Sequence, residues 1–320
     1  MNTATTTEDR LWAVLSHLSS LAFGMGILLP IVGWSDQRRK SKYASFQSLQ
    51  ALGYQSLGYT VWILSYLVVL IAILITIVIM SFQTEKNGKT VDPFSGPGAI
   101  LISILVFGFF AIYFLLPIIA AVACALGKDF RYPFLGDRLA RYLEYDSTQK
   151  PEEQEWLNED HEFHWVAAMG HFSILILLWG MLAPLTTWIL YSKRNLFLRF
   201  QSIQTLVYQA GTTILLIAGA FIYLFGFLLL VAGAGAIGQP NLNSTGGIVS
   251  IVIFGVALLI SFLLLLLVPL LHILAQWAGY CVLKGDNYRY PLVGRLVERW
   301  VVNKIPLAKD DNLSIKGESS

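Results

Sequence analysis

Six stretches of this 320-residue chain carry no acidic or basic side chain: Leu11–Trp34, Leu57–Phe82, Gly98–Gly127, Trp165–Tyr191, Ser202–Ile237 and Gly247–Leu283. Each has the length of a membrane-crossing helix, which needs about 20 apolar residues at ~1.5 Å apiece to cover ~30 Å of hydrocarbon. Lipid offers backbone groups no partners, so helices are the default, and the aliphatic, non-alternating character argues against barrel strands. With 56% of residues hydrophobic and 13% charged, a soluble surface cannot be built. The 22 basic and 20 acidic residues give a net charge of +2, too even for a nucleic-acid footprint. The expected fold class is all-α, a polytopic helical membrane protein. Cys124 and Cys281 lie near the ends of apolar runs without ligand-like spacing and read as buried hydrophobes. Met1–Arg10 is polar, lacks a basic leader and a small-residue cleavage site, and is expected to be retained.

The chain is an internal duplication. At an offset of 154, His17 falls on His171, Ser19 on Ser173, Gly26 on Gly180, Pro30 on Pro184 and Trp34 on Trp188. The same register carries Phe46, Gln47, Gln50, Tyr54 and Gln55 onto Phe200, Gln201, Gln204, Tyr208 and Gln209. Near the ends of the copies the offset slips to 158, matching Arg131, Tyr132, Pro133 and Gly136 to Arg289, Tyr290, Pro291 and Gly294. Identities this dense in one register mark tandem repeats. The expected organisation is a first membrane module over residues 1–145, an acidic polar linker over 146–163, a second module over 164–303 and a polar tail over 304–320. The linker reads as a solvated charge run.

Three apolar stretches per copy pose a question of direction. If all six crossed, the second copy would be inverted, and nine bases would lie on the side of the first basic loop against thirteen opposite. That runs against the positive-inside tendency. If instead the first stretch of each copy enters and returns on one side while the other two cross as a hairpin, every base but Lys86 and Lys89 shares the cytosolic face. The modules are then parallel and both termini cytoplasmic, in a multi-pass protein of the inner membrane. Gly24, Gly26, Pro30 and Gly33, with Gly180 and Pro184, supply helix breakers for the re-entry. A kinked, fully spanning first helix is the alternative. Re-entrant backbone must be shielded by the long helices. Pro117 and Pro269 are expected to kink the last helices.

Gln47, Gln50 and Tyr54 fall on one helix face at the start of the second stretch, and Gln201, Gln204 and Tyr208 repeat them. An amide turned to lipid would lose its hydrogen bonds, so this stripe faces protein. It reads either as interhelical hydrogen bonding or as a polar wall for a passing solute or peptide. His17 and His171 occupy one point of both copies, and a hydrogen-bonded packing role outweighs proton relay or metal binding because no carboxylate shares their stretch. His272 reads as local packing. In His161-Glu162-Phe163-His164 the histidines are three apart, not the four a zinc-protease helix requires, so no metal is expected. Phosphate loops, nucleophile elbows and dinucleotide fingerprints are absent from the sequence. Arg131 and Tyr132, with Arg289 and Tyr290, follow the last span of each copy and read as headgroup anchors.

Trp12 with His17-Leu18-Ser19, the proline-containing stretch ending at Trp34, the basic loop, Phe46-Gln47 and Arg131-Tyr132-Pro133 together resemble the bacterial domain of unknown function 4870. That family is similar to the chloroplast inner-envelope import component Tic-Twenty. The resemblance spans roughly residues 9–143 and 164–300. It implies a helical membrane module related to protein translocation, and it transfers no catalytic residue.

The resulting expectation is a non-enzymatic integral membrane protein acting in translocation, insertion or membrane assembly. Its rival is a passive small-solute carrier or channel. Ion-driven transport is disfavoured because no acidic or basic group lies in any of the six stretches. No cofactor or metal is expected. The expected partners are the lipid bilayer and other membrane proteins, with no nucleic acid, and the oligomeric state is left open.

Overall fold

The computed structural model describes residues 5–87, 96–146, 156–233 and 245–302, and the regular structure of these residues is helical. Lys89, Lys150, Glu152, Glu153, Glu155 and the tail 304–320 lie outside the described residues. The first module comprises α1 (Thr7–Leu18), α2 (Leu28–Gln37), α3 (Lys42–Asn87), α4 (Gly96–Ala125) and α5 (Gly136–Tyr142). The second repeats it as α6 (Glu159–Phe172), α7 (Leu182–Tyr191), α8 (Leu196–Gly233), α9 (Thr245–Leu283) and α10 (Val293–Val302).

Local chemistry starts both leading helices. Thr6 and Asp9 form a reciprocal capping box at α1, with Thr6 Oγ1 accepting from Asp9 N at 3.1 Å and Thr6 N donating to Asp9 Oδ2 at 2.9 Å. At α6, Asn158 Oδ1 accepts from His161 N at 3.2 Å. Acidic residues crowd both first turns, where the helix dipole favours them.

By length and composition Thr7–Gln37 and Glu159–Tyr191 could each cross a bilayer. They fold back instead. A short 3₁₀ crest, Ser19–Ile27, joins α1 to α2, and Ser173–Met181 does the same in the second copy. The reversal sits at Phe23 (φ 44°, ψ −176°) and at its twin Leu177 (φ 52°, ψ −130°). A left-handed backbone at a non-glycine residue costs about 1–3 kcal/mol and persists only where packing imposes it. The arms then run side by side. Gln37 Nε2, at the end of α2, donates to Glu8 Oε1 at the start of α1 at 3.0 Å. In the second copy the Phe163 and Tyr191 rings lie 6.0 Å apart. A 12-residue arm rises only about 18 Å, well short of the hydrocarbon thickness.

The re-entrant arrangement is therefore the one the structure has, although the breakers act differently from the sequence expectation. Pro30 and Pro184 sit in the first turns of α2 and α7, where the amide they lack would have been unpaired anyway. Gly26 and Gly180 permit close approach, since a Cβ on either would overlap the Ser19 or Ser173 carbonyl oxygen. Gly33 lies inside α2, against Ser16, Ser48 and Trp12.

The long helices α3, α4, α8 and α9 form the crossing hairpins, and the α4 and α9 helices run on through Pro117 and Pro269. The α8 and α9 helices approach closely where a Cβ on Gly226 would press on Ala257 and where Ser261 Oγ donates to the Gly219 carbonyl at 2.7 Å. Small residues and interhelical hydrogen bonds of this kind hold helices together in lipid. The polar ends of both modules lie on one side: Trp34 at the end of α2 stacks on Tyr191 at the end of α7 at 5.0 Å. Tyr142, past α4, donates through its hydroxyl to the Leu283 carbonyl at the end of α9. The copies are parallel.

Candidate functional site: a duplicated polar latch

Where α3 begins, Gln47 and Gln50 face inward, as the stripe they share requires. His17 comes in from α1 and the segment after α4 comes in from the other side. His17 Nε2 lies 3.0 Å from Gln47 Oε1 and His17 Nδ1 lies 3.0 Å from the Tyr132 hydroxyl. A glutamine Oε1 only accepts, so Nε2 carries the imidazole proton and Nδ1 accepts from Tyr132. Gln47 Nε2 then donates to Asp129 Oδ1 at 2.9 Å and to the Phe130 carbonyl at 3.0 Å. Gln50 Nε2 donates to Gln47 Oε1 and to the same carbonyl, while its Oε1 accepts from Tyr132 N at 3.0 Å. Tyr54 stacks on Tyr132 at 4.1 Å and donates to the Tyr113 carbonyl.

The second module repeats these bonds and adds one contact, Thr205 Oγ1 at 3.0 Å from His171 Nδ1, where the first module has Ala51. His171 bridges Gln201 Oε1 at 3.0 Å and the Tyr290 hydroxyl at 2.9 Å. Gln201 Nε2 donates to Asn287 Oδ1 at 2.8 Å and to the Tyr288 carbonyl, Gln204 Nε2 donates to Gln201 Oε1, and Gln204 Oε1 accepts from Tyr290 N. Tyr208 stacks on Tyr290 at 3.8 Å and donates to the Leu271 carbonyl. Deeper in, Gln55 and Gln209 donate to the Ser16 and Gly170 carbonyls where the leading arms end. Each network ties a re-entrant arm, a long helix and the closing loop together, within its own module.

Both ring nitrogens of His17 and His171 and the amide groups of Gln47, Gln50, Gln201 and Gln204 are engaged by protein groups, so the latch leaves neither imidazole a free ring nitrogen for general-base work or metal coordination, while deeper in Gln209 Oε1 is buried without a partner among the described residues. Of the two readings of the stripe, the geometry is that of interhelical hydrogen bonding. Of the four expected headgroup anchors, the two tyrosines are placed elsewhere. Tyr132 and Tyr290, 2% and 1% exposed, turn inward because their hydroxyls serve the histidines. Arg131 pairs with Asp129 and, at 2.8 Å, with Asp137, and Arg289 pairs with Glu298 at 3.0 Å. Tyr145, whose hydroxyl burial holds well above its ordinary range, also donates to Asp129. The sequence reading missed Asp129 and Asn287. The 158 offset places one on the other and was the available signal.

It also missed Glu162, placed in the solvated linker although α6 begins at Glu159. Glu162 is 1% exposed and joins the modules: it accepts from Trp34 Nε1 at 3.0 Å and Ser45 Oγ at 3.2 Å, and pairs with Arg38 at 3.1 Å. Glu159 pairs with Arg38 and Arg39 beside it. Trp165, one turn on, donates to the Leu49 carbonyl at 3.0 Å over Gly53, where a Cβ would collide with the indole. The neighbouring histidines are occupied otherwise: His161 stacks on Tyr142 and His164 Nδ1 meets the Asp160 carbonyl. His272 bonds within its helix to the Val268 carbonyl. Cys124 is buried with its thiol against Gln47 Oε1, and Cys281 is half-buried.

The model of the magnetosome magnetite crystal formation protein family, MamF/MmsF, matches the chain twice, over residues 8–139 and over residues 162–297. The chain belongs to the MamF/MmsF family. The likeness to the domain of unknown function 4870 and to Tic-Twenty is thereby overturned. His17 and Phe46-Gln47 with Tyr132, which carried much of it, are latch residues or neighbours that close a re-entrant hairpin, and closing a hairpin is a demand of architecture rather than a mark of translocation. Both MamF/MmsF matches contain a complete latch, from His17 to Tyr132 and from His171 to Tyr290. No curated protein and no solved structure matches the chain.

Proposed function

We propose that this MamF/MmsF-family chain serves magnetite crystal formation as a non-enzymatic, multi-pass scaffold of the magnetosome membrane. The observation that carries the reading is the double family match, each match enclosing one closed latch. A scaffold needs rigid modules held in one plane, and the latches, the Glu162 pairing and the shared polar side supply that. A solute path along the Gln stripe is disfavoured, because its amides are spent inside each module. Of the roles expected from sequence, membrane assembly is retained and translocation is not. Both termini face the cytosol in this reading, supported by the side on which the basic residues gather.

The test is removal of the gene from a magnetite-forming host, with complementation by the intact chain and by Gln47→Leu with Gln201→Leu. Crystal diameters measured by electron microscopy are expected to shift on deletion and to return only with the intact chain, and a fluorescent fusion should lie on the magnetosomes. Unchanged crystals together with a fusion confined elsewhere would refute the role.

A further inference from the structure

The modules are joined by a contact that is not symmetric. The first module offers α3 and the second offers α6, through Trp165 over Gly53 and Glu162 on Ser45. A two-fold arrangement would also pack α1 on α8. It does not: Leu11, the twin of Trp165, is 54% exposed, and Glu8, the twin of Glu162, is exposed too. On the other side Arg199, Ile203 and Val207, twins of Ser45, Leu49 and Gly53, are only partly buried. Among the described residues, each chain therefore carries one copy of each half of its own internal contact that the other module does not cover.

Two details support a fit between the unused halves. The internal contact sets a large knob, Trp165, over a position with no side chain, Gly53. In the unused pair both change together, to the smaller Leu11 and the larger Val207, so the summed volume is kept. The same exchange recurs at the crests, where Trp179 against Gly24 becomes Met25 against Leu178. The second detail is charge. Glu162 finds Arg38 inside the chain, and the twin of Arg38 is Ser192, yet a cation returns at the twin of Ser45 as Arg199. Arg199 Nε is buried without a hydrogen-bond partner. Glu8 has one oxygen bound by Gln37, lies within the field of Lys40 and is exposed to a further partner.

We propose that α1 of one chain packs on α8 of a second copy, repeating between chains the contact that joins the modules within a chain, with Glu8 meeting Arg199. Both groups stand at the starts of their helices on the shared polar side, so the second copy docks in the same membrane plane. A head-to-tail contact of this kind closes into a ring or runs on as a row. It holds whatever the mineral role.

The test uses the full chain in native membranes, with Cys124→Ala and Cys281→Ala as background. Chains carrying Leu11→Cys and chains carrying Val207→Cys, differently tagged, co-expressed and treated with a short bifunctional thiol reagent, are expected to give a cross-linked dimer holding both tags, while each alone stays monomeric. The doubly substituted chain should give a ladder. Glu8→Arg should lower the mixed dimer about tenfold or more, and Glu8→Arg with Arg199→Glu should restore it. Folding is checked by the internal pair, Gly53→Cys with Trp165→Cys, which the same reagent, spanning about an indole's width, should join within a chain. Dimers from Leu11→Cys alone would mean a two-fold contact and overturn the proposal. Monomers throughout, with the internal pair still cross-linking, would mean that lipid covers these faces and would overturn it equally.

Discussion

Replacing Glu162 with Ala removes a carboxylate shared by three donors, Trp34 Nε1, Ser45 Oγ and Arg38. Removing one partner of a buried ion pair costs about 3–5 kcal/mol, chiefly because the other charge is left uncompensated. Arg38 keeps Glu159 at 3.1 Å, a half-exposed partner, so the expected loss is near the lower limit, about 3 kcal/mol. Glu162→Gln retains an acceptor for Trp34 or Ser45 and should lose about half as much. Arg38→Met with Glu162→Leu removes both charges and keeps the volume but still leaves Trp34 Nε1 without an acceptor, so it should recover part of the loss and end about 1–2 kcal/mol below the parent. The assay is thermal unfolding in lipid nanodiscs followed by tryptophan fluorescence, with all four chains compared at one protein-to-lipid ratio. An alanine variant that loses under about 1 kcal/mol, or a double variant no better than the single, would refute the claim that this pair is what clamps the modules.

Tyr132→Phe leaves His17 Nδ1 without a donor and should cost about 1–3 kcal/mol, whereas Tyr290→Phe leaves His171 Nδ1 with Thr205 Oγ1 at 3.0 Å and should cost less, about 1 kcal/mol, by the same unfolding assay. Gln47→Leu orphans His17 Nε2, takes one of two acceptors from Gln50 Nε2 and a donor from Asp129, and should cost about 2–3 kcal/mol. Gly53→Ala drives a methyl into Trp165 and should cost about 1–3 kcal/mol, and adding Trp165→Phe should recover part of it. Lys40→Cys and Lys193→Cys, in the background without native cysteines, should react with a membrane-impermeant maleimide from the same face. Labelling from opposite faces would contradict parallel modules.

The repeat, the hairpins and the inward stripe were legible because they follow from periodicity and from the cost of burying an amide in lipid. The position of the reversal was not. Glycine and proline marked the region, yet the left-handed residues are Phe23 and Leu177, whose conformation is imposed by packing that a local pattern does not contain. Tyr132 and Arg131 look alike as interfacial residues, and only the arrival of His17 from another helix separates them. Glu162 read as linker because its neighbours are acidic, whereas its burial is decided by Arg38, more than 120 residues away in sequence.

The crests of the two hairpins hold a further consequence. Leu21, Phe23 and Met25 in one, with Leu177 and Leu178 in the other, present bare hydrocarbon beside arms too short to reach the opposite leaflet. Each module thus occupies more area in the leaflet it enters than in the one beyond, like a keystone cut wider at one edge. A patch of bilayer dense in this protein is expected to bulge toward the side from which the hairpins insert, which electron cryo-microscopy of vesicles loaded with it from one side would show as a smaller radius than that of empty ones.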